Sequence, residues 1–385
     1  MNSKKAIELL KSCKEKTLFH RYVHTDHIRP LLENLGTNFL VSQIGNSVKD
    51  EPIFSVTIGN GPKKVLMWSQ MHGNESTTTK AIFDVFNILK HDNWFSKVVL
   101  NECTLTIIPI LNPDGARLYT RFNANEIDLN RDAQIKSQPE IEVLFKVFNE
   151  VKPDFCFNLH GQRTIFSAGK TKSPATISFL APAQDIKTSV TTNRKRAMEV
   201  IVAMNRSLQQ IIPNQVGIYD DSFNLNCVGD TFQSNNVPTI LFEAGHYEKD
   251  YKREEVRKYI GLAMMKSLSY IANTDVSGDL HLPYFDIPMN EKLFFDIIIR
   301  NAKVNENSKA TDIAVQYQEI LINNKIHFKP VVNSIGDLSN YFGHVEIDAN
   351  LKLVMCENRE PIFEGYENDF VLLNDELFAL NLVNN

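Results

Sequence analysis

A chain of 385 residues, 43% apolar and 23% charged, is long enough to bury one large core and a smaller second one. Its formal net charge of -5 gives no reason to expect nucleic acid, which calls for a clustered basic face. No apolar run approaches the ~20 residues that cross a bilayer, so no membrane partner is expected either. The opening, MNSKKAIELLKSCKEK, sets lysines on both sides of a short apolar patch and reads as a polar helix, not a signal peptide. Cys13, Cys103, Cys156, Cys227 and Cys356 are odd in number, far apart and without a C-x-x-C pair. That argues against a disulfide framework and a thiolate metal site, and it fits a reducing compartment, the cytoplasm.

Between about residues 24 and 275, apolar runs of strand length alternate with amphipathic stretches of helix length, the pattern of an α/β layer architecture. EPIFSVTI (51–58) and KVLMWSQM (64–71) read as strands parted by the turn Gly59-Asn60-Gly61-Pro62. Residues 76–90 follow as a helix, with Ala81, Ile82, Val85, Phe86 and Leu89 at helical spacing. CTLTIIPIL (103–111) has the continuous apolar character of a buried central strand. Pro139 opens a helix over 139–150 from a favoured first-turn position. Strands are expected at 154–159, 176–181 and 238–243, and helices at 192–211 and 252–272. Beyond about 275 the segments KLFFDIIIR, EILINNKIHF, HVEIDANLKLVM and DFVLL are short, β-leaning and separated by polar turns. The expected organisation is therefore a catalytic α/β domain over 1–275 and a small β-rich domain over 276–385.

The strongest local signal is His72-Gly73-Asn74-Glu75, where a strand gives way to a helix. A carboxylate three positions after an imidazole can bring both to one cation, and Gly73 permits a tight turn between them. A catalytic zinc needs three protein ligands and an open position. His160, ending the strand DFCFNLH, supplies a third at a second strand C-terminus, where open α/β sheets place their crevices. Taken alone, H-x-x-E also suits a histidine that merely caps a loop. Further charge follows in NPDGARLYTRFNANEIDLNRD (112–132), which carries Arg117, Arg121, Arg131, Asp114 and Asp128. So many ions between apolar strands imply exposure, either as a solvated loop of mutual salt bridges or as arginines that fork onto a carboxylate or oxyanion. Glu243 ends the apolar strand VPTILFE, where an unpaired carboxylate is costly. Beside a metal-activated water it would serve as general base and then general acid. His20, His24 and His27 have helical ligand spacing, but FHRYVHTDHIRP is better read as a capping segment, and His246 as lining the cleft or steadying its loop.

His72-Gly-Asn-Glu75, Asn112-Pro-Asp-Gly115, Arg121 within RFNANEIDLNRD, His160 and Glu243, in this order, closely resemble the zinc carboxypeptidases of the carboxypeptidase A type. Ile44-Gly45-x-Ser47 leading to Pro52-Ile53 is similar to that family as well, and the likeness spans roughly residues 40–270. The resemblance implies a mixed, mostly parallel central sheet with helices on both faces and one zinc per chain, held by His72, Glu75 and His160. It implies that Glu243 activates the water, Arg121 polarises the scissile carbonyl, and Asn130 and Arg131 grip the free carboxylate of the substrate. Asp128 would orient His72, and Tyr219 in VGIYDDSF would match a mobile tyrosine, although DDSFNLN replaces the glycine- and serine-rich stretch that usually follows. The expected substrate is a small peptide or an acyl-amino acid with a free carboxylate. The β-rich C-terminal segment also resembles the aspartoacylase and succinylglutamate desuccinylase group, which makes an N-acyl-amino-acid deacylase the first alternative. A binding protein with a vestigial site is the second.

Overall fold

The computed structural model describes residues 2–383. The chain divides into two compact units, one formed by Met1–Gln162 with Ala175–Asn290, the other by Arg163–Pro174 with Glu291–Asn385. The break after the α/β layer therefore falls at Asn290, beyond the 275 read from composition. The β-rich unit also claims an internal excursion that composition did not mark. Residues 276–290 belong with the first unit because Tyr284 and Ile287 bury their side chains in its core.

The first unit runs α1 (Ser3–Ser12), α2 (Thr25–Glu33), β1 (Leu40–Asn46), β2 (Pro52–Ile58), β3 (Lys63–Ser69), α3 (Thr77–Leu89), α4 (Trp94–Glu102), β4 (Cys103–Ile108) and α5 (Pro113–Leu118). It continues with α6 (Pro139–Val151) and β5 (Phe155–Gly161). After β6 (Phe166–Ala168), which lies in the excursion, come β7 (Ile177–Leu180), α7 (Thr192–Leu208), β8 (Val216–Ile218), α8 (Val228–Ser234), β9 (Thr239–Ala244) and α9 (Glu254–Asn273). Its eight strands are ordered β1-β2-β4-β3-β5-β9-β7-β8. The central run β4-β3-β5-β9 is parallel throughout, while β1, β2 and the β9–β7 pair are antiparallel. This is the mixed, mostly parallel sheet expected from the sequence.

Alternation along the central strands sorts side chains onto two faces. Val65 and Met67, Phe157 and Leu159, and Ile240 and Phe242 join α3, α7 and α9 in the larger core. Leu66, Trp68 and Cys156 face the other way, into a second core with α6 and α8, where Phe232 stacks on Phe148 with centroids 3.9 Å apart. Because both faces are covered, these strands read as continuous apolar runs. The α3 helix is buried on nearly every side and carries Lys80 inside, which is tolerable because its Nζ meets Glu254 Oε1 at 2.6 Å and the Lys252 carbonyl at 3.2 Å. Pro139 occupies the first turn of α6, as its fixed φ favours.

The β-rich unit holds a sheet ordered β13-β12-β11-β14, from Lys325–Gly336, Thr311–Ile322, Phe294–Ala302 and Phe342–Asp348. A three-stranded sheet joins β15 (Val354–Met355), β16 (Phe370–Leu373) and β17 (Glu376–Ala379), and β6 forms a ribbon with β10 (Asn290–Lys292). Asp296 is wholly buried in this unit, where it accepts the Tyr317 backbone N–H at 2.7 Å and a bond from Gln316 Nε2.

Candidate metal centre and catalytic cleft

Three elements converge at the C-terminal ends of β3 and β5. Gly73 lets the turn after β3 press against α5: a Cβ at Gly73 would lie 1.9 Å from the Gly115 carbonyl carbon. Close backbone approach, rather than a positive φ, is what the position demands. Gln70 Nε2 donates to the Gly73 carbonyl at 2.8 Å and Asn112 Nδ2 to the Met71 carbonyl at 3.2 Å, fixing the turn that carries His72 and Glu75. The Gly161 N–H donates to Glu75 Oε2 at 2.9 Å, joining that turn to the strand of His160.

His72 Nδ1 lies 2.8 Å from Glu75 Oε1 and 3.1 Å from His160 Nδ1, and His160 Nδ1 lies 3.0 Å from Glu75 Oε2. Both histidines are 2% exposed. Two imidazole nitrogens pointed at each other beside a carboxylate are poor mutual partners, since each ring offers either one proton or one lone pair there. They are well suited to a dication at ~2.0–2.1 Å from each donor atom. The residues therefore fit zinc, by the convergence of the donor set. Burial opposes charge on Glu75, yet the two histidines hold its carboxyl well below the usual range. Burial likewise opposes protonation of His72, but Glu75 and Asp128 raise its proton affinity, whereas burial prevails at His160 and lowers it.

Asp128 Oδ1 sits 3.2 Å from His72 Nε2 and accepts the Asn130 N–H at 2.9 Å, while Oδ2 takes Arg121 Nε at 3.0 Å and Nη2 at 2.9 Å. Arg121 is thereby held at the metal group, with Nη1 3.2 Å from His72 Nδ1 and 3.7 Å from Glu75 Oε1. Glu243 is register-paired with His160 on the adjacent parallel strand, so the two side chains rise from the same face. Its Oε2 is buried with no hydrogen-bond partner, and burial, reinforced by the charge of Glu75, raises its proton affinity well above the carboxylate norm. Tyr219 is brought in by the chain after β8: its N–H bonds the Phe179 carbonyl at 3.0 Å. Burial first, then the fields of Glu243 and Glu75, push its phenol far up. Asn130 Oδ1 accepts the Val228 N–H that opens α8, at 3.0 Å. Arg131 is exposed, with Nη1 3.1 Å from Cys227 Sγ.

The chain matches the family model for zinc carboxypeptidases over residues 29–222, half of its length. It belongs to the zinc carboxypeptidase family. The match includes His72, Glu75 and His160, which form this family's one zinc site. Among curated relatives, a γ-D-glutamyl-L-diamino acid endopeptidase from Lysinibacillus sphaericus is 36% identical over 83 residues, 20% of this chain and 21% of that one. Carboxypeptidase SOL1 of Arabidopsis thaliana is 26% identical over 138 residues, 31% of this chain and 28% of its own. The matched stretch thus spans well under a third of either relative. A metallo-carboxypeptidase from Burkholderia cenocepacia shares the fold, with a TM-score of 0.52 at 16% identity over 63% of this chain and 68% of that one.

One expectation for the 112–132 segment changes with the structure. The segment is not simply solvated: it contains α5, and Asp114, Asn123 and Asp132 are buried. Each is hydrogen-bonded within the fold; Asp114 accepts Ser47 Oγ at 2.9 Å and the Lys49 N–H at 3.0 Å. His24 caps α2 and its ring lies tilted against that of His27 with centroids 3.9 Å apart, so the capping reading of that segment holds. Sequence reasoning passed over Arg253, whose Nη1 and Nη2 donate to the Ala244 and Gln162 carbonyls at 2.7 and 2.9 Å, clamping the ends of β9 and β5. No local signal marks it, because a helix-start arginine is ordinarily solvated. Among the described residues no helix is long and apolar enough to cross a membrane.

Proposed function

We propose that this chain is a zinc-dependent carboxypeptidase that removes the C-terminal residue of short peptides in the cytoplasm. The observation that carries the reading is the placement of the Glu243 carboxylate beside His160, one strand over, with an oxygen that the protein leaves unbonded. A bound zinc would act as a Lewis acid at the scissile carbonyl and acidify a water. Glu243 takes the proton of the attacking water and passes it to the leaving amine. Arg121, braced by the two-point grip of Asp128, presents Nη1, which lies over the metal group, to the carbonyl oxygen as negative charge develops there. Asn130, its carbonyl side committed to Val228, has its amide N–H groups for the substrate carboxylate, and Arg131 adds the opposite charge. Tyr219 closes the same cleft, and Asp128 keeps the Nε2–H tautomer of His72, leaving Nδ1 for the metal.

The likeness to a γ-D-glutamyl-L-diamino acid endopeptidase supports including γ-glutamyl peptides among the substrates tried. Zinc-loaded protein should release C-terminal residues from a panel of α- and γ-linked short peptides. Turnover of N-acyl-amino acids alone would transfer the chain to the deacylase reading. Inertness toward both panels in protein carrying a full zinc complement would leave only the binding-protein reading.

A further inference from the structure

After α9 the chain returns to β8, and that return places one side chain beside Tyr219. The Ile218 N–H donates to the Pro288 carbonyl at 2.9 Å, and Ile218 bridges Met289 in parallel. The next residue on each side, Tyr219 and Asn290, therefore stands beside the other on one face. Asn290 closes the first unit and lies flat on β8, where a Cβ at Gly217 would fall 2.0 Å from its Oδ1.

The Asn290 amide is fixed by residues that border the cleft. Ser178, the register partner of Glu243 on β7, donates through Oγ to Asn290 Oδ1 at 3.1 Å. Asn290 Nδ2 donates to Gln162 Oε1 at 3.2 Å. Gln162 Nε2 is in turn committed to the Ala175 carbonyl at 2.7 Å and to Ser178 Oγ at 3.1 Å. Ser178 and Gln162 are 0% and 6% exposed, so little water competes for these bonds. An asparagine amide carries two protons, and Asn290 also bonds the phenol of Tyr219, which stands within the fields of Glu243 and Glu75.

The backbone beyond Tyr219 is pinned as well. Arg194, 1% exposed, donates through Nη2 to Asp221 Oδ2, while its Nε and Nη1 hold the Ala181 and Thr188 carbonyls at 3.1 and 2.7 Å. Asp220 Oδ1 accepts the Ser222 N–H at 2.6 Å. No glycine stands between Gly217 and Gly229 to loosen this stretch. We propose that Asn290 is a positioning residue that holds the Tyr219 phenol in the cleft before substrate arrives, so that the tyrosine is preset and not swung in by binding. The proposal rests on the carboxypeptidase reading and deepens it. A ring already in place spares the substrate the cost of ordering it, which shows as tighter binding and not as faster chemistry.

The test joins kinetics to a probe of the ring itself. With 3-fluorotyrosine at position 219, zinc-loaded wild type without peptide should give one narrow fluorine resonance, and Asn290→Ala a broadened or doubled one. Values of kcat and KM are then compared for wild type, Asn290→Ala, Tyr219→Phe and the double variant on the best-cleaved short peptide. Asn290→Ala should raise KM about 5- to 20-fold, the scale of one or two hydrogen bonds, with kcat changed by less than about twofold. Added to Tyr219→Phe, the same change should move KM by less than about twofold, because the group it positions is gone. Ser178→Ala loosens the same amide from behind and should shift the resonance and KM in the same direction, which keeps the test open if Asn290→Ala folds poorly. An equal rise in KM in both backgrounds would assign Asn290 to structural support alone and overturn the proposal. Two exchanging resonances in wild type, or a resonance indifferent to Asn290→Ala, would overturn it as well, whether or not peptides are cleaved. A resonance that responds in a protein that cleaves no peptide would uphold the anchor and remove the carboxypeptidase reading.

Discussion

Asp128 sits between the metal group and Arg121, and its two oxygens divide that work, which makes its substitutions informative. Oδ1 serves His72 Nε2 and the Asn130 N–H, and Oδ2 serves two nitrogens of Arg121. Asp128→Asn can keep its carbonyl toward His72 and Asn130, but then sets an NH2 against the Arg121 fork. Asp128→Ala surrenders both sides. An outer partner of a metal-bound histidine is worth about 10- to 100-fold in metal affinity, or roughly 1.4–2.7 kcal/mol. The alanine variant should reach the upper part of that range, because His72 loses both its orienting acceptor and the adjacent negative charge. The asparagine variant should stay near the lower part, since it loses the charge alone. Both should lower kcat/KM further than zinc affinity explains, because Arg121 is 40% exposed and swings to solvent once released. Zinc affinity would be measured by competition with a chromophoric chelator, and kcat/KM at saturating zinc. An asparagine variant that binds zinc less well than the alanine variant would refute the division of labour. So would affinities within twofold of wild type in both.

Three further outcomes are expected. Glu243→Gln should retain its zinc while kcat falls by about 10²–10⁴-fold, the usual range for a positioned acid–base group; turnover near wild type would sink the proton-transfer role. Burial pushes the Asp230 carboxyl up to about 6, so the folded state holds its proton more tightly than the unfolded chain does. Its contribution is then fully present below the ordinary carboxylate pKa near 4 and is lost as pH rises through about 6. Asp230→Asn should therefore raise stability at pH 8 by roughly 1–3 kcal/mol and should add nothing at pH 4. Urea titrations at the two pH values would show it, and equal gains at both would refute it. Arg257, 1% exposed, meets Asp84 at 2.7 and 2.5 Å and donates to the Leu18 and Glu15 carbonyls at 2.5 and 2.7 Å. Arg257→Leu strands Asp84 and should cost about 3–5 kcal/mol in the same titration, with Asp84→Asn in the same chain recovering part; a loss under ~1 kcal/mol would show the pair is not buried as described.

Much of the fold was legible because period and punctuation acted locally. The run 103–111, the Pro139 helix start and the strands before His72, His160 and Glu243 were all placed to within a few residues. What escaped was short, or depended on distant partners. Helix α4, nine residues long and beyond the helix expected over 76–90, was not anticipated, and α8 is a short helix whose apolar residues alone do not distinguish it from a buried strand. The burial of Asp114 could not be read from a polar segment, since its acceptors are filled by Ser47 and Lys49, over sixty residues upstream.

By itself the sequence determined the α/β class, the strand–helix junction of His72-Gly73-Asn74-Glu75, and the identity of the residues able to hold zinc. These follow from residue type and near-neighbour spacing, which act over a few bonds. Only the tertiary structure decided that His160 and Glu243 stand in register on adjacent parallel strands, that Asp128 divides its oxygens between His72 and Arg121, and that Arg253 ties the ends of β5 and β9. It also decided that Asn290 is laid along β8 beside Tyr219. Each of these depends on strand order and register, and those are set by how the two faces of the sheet are covered, not by any local run of residues.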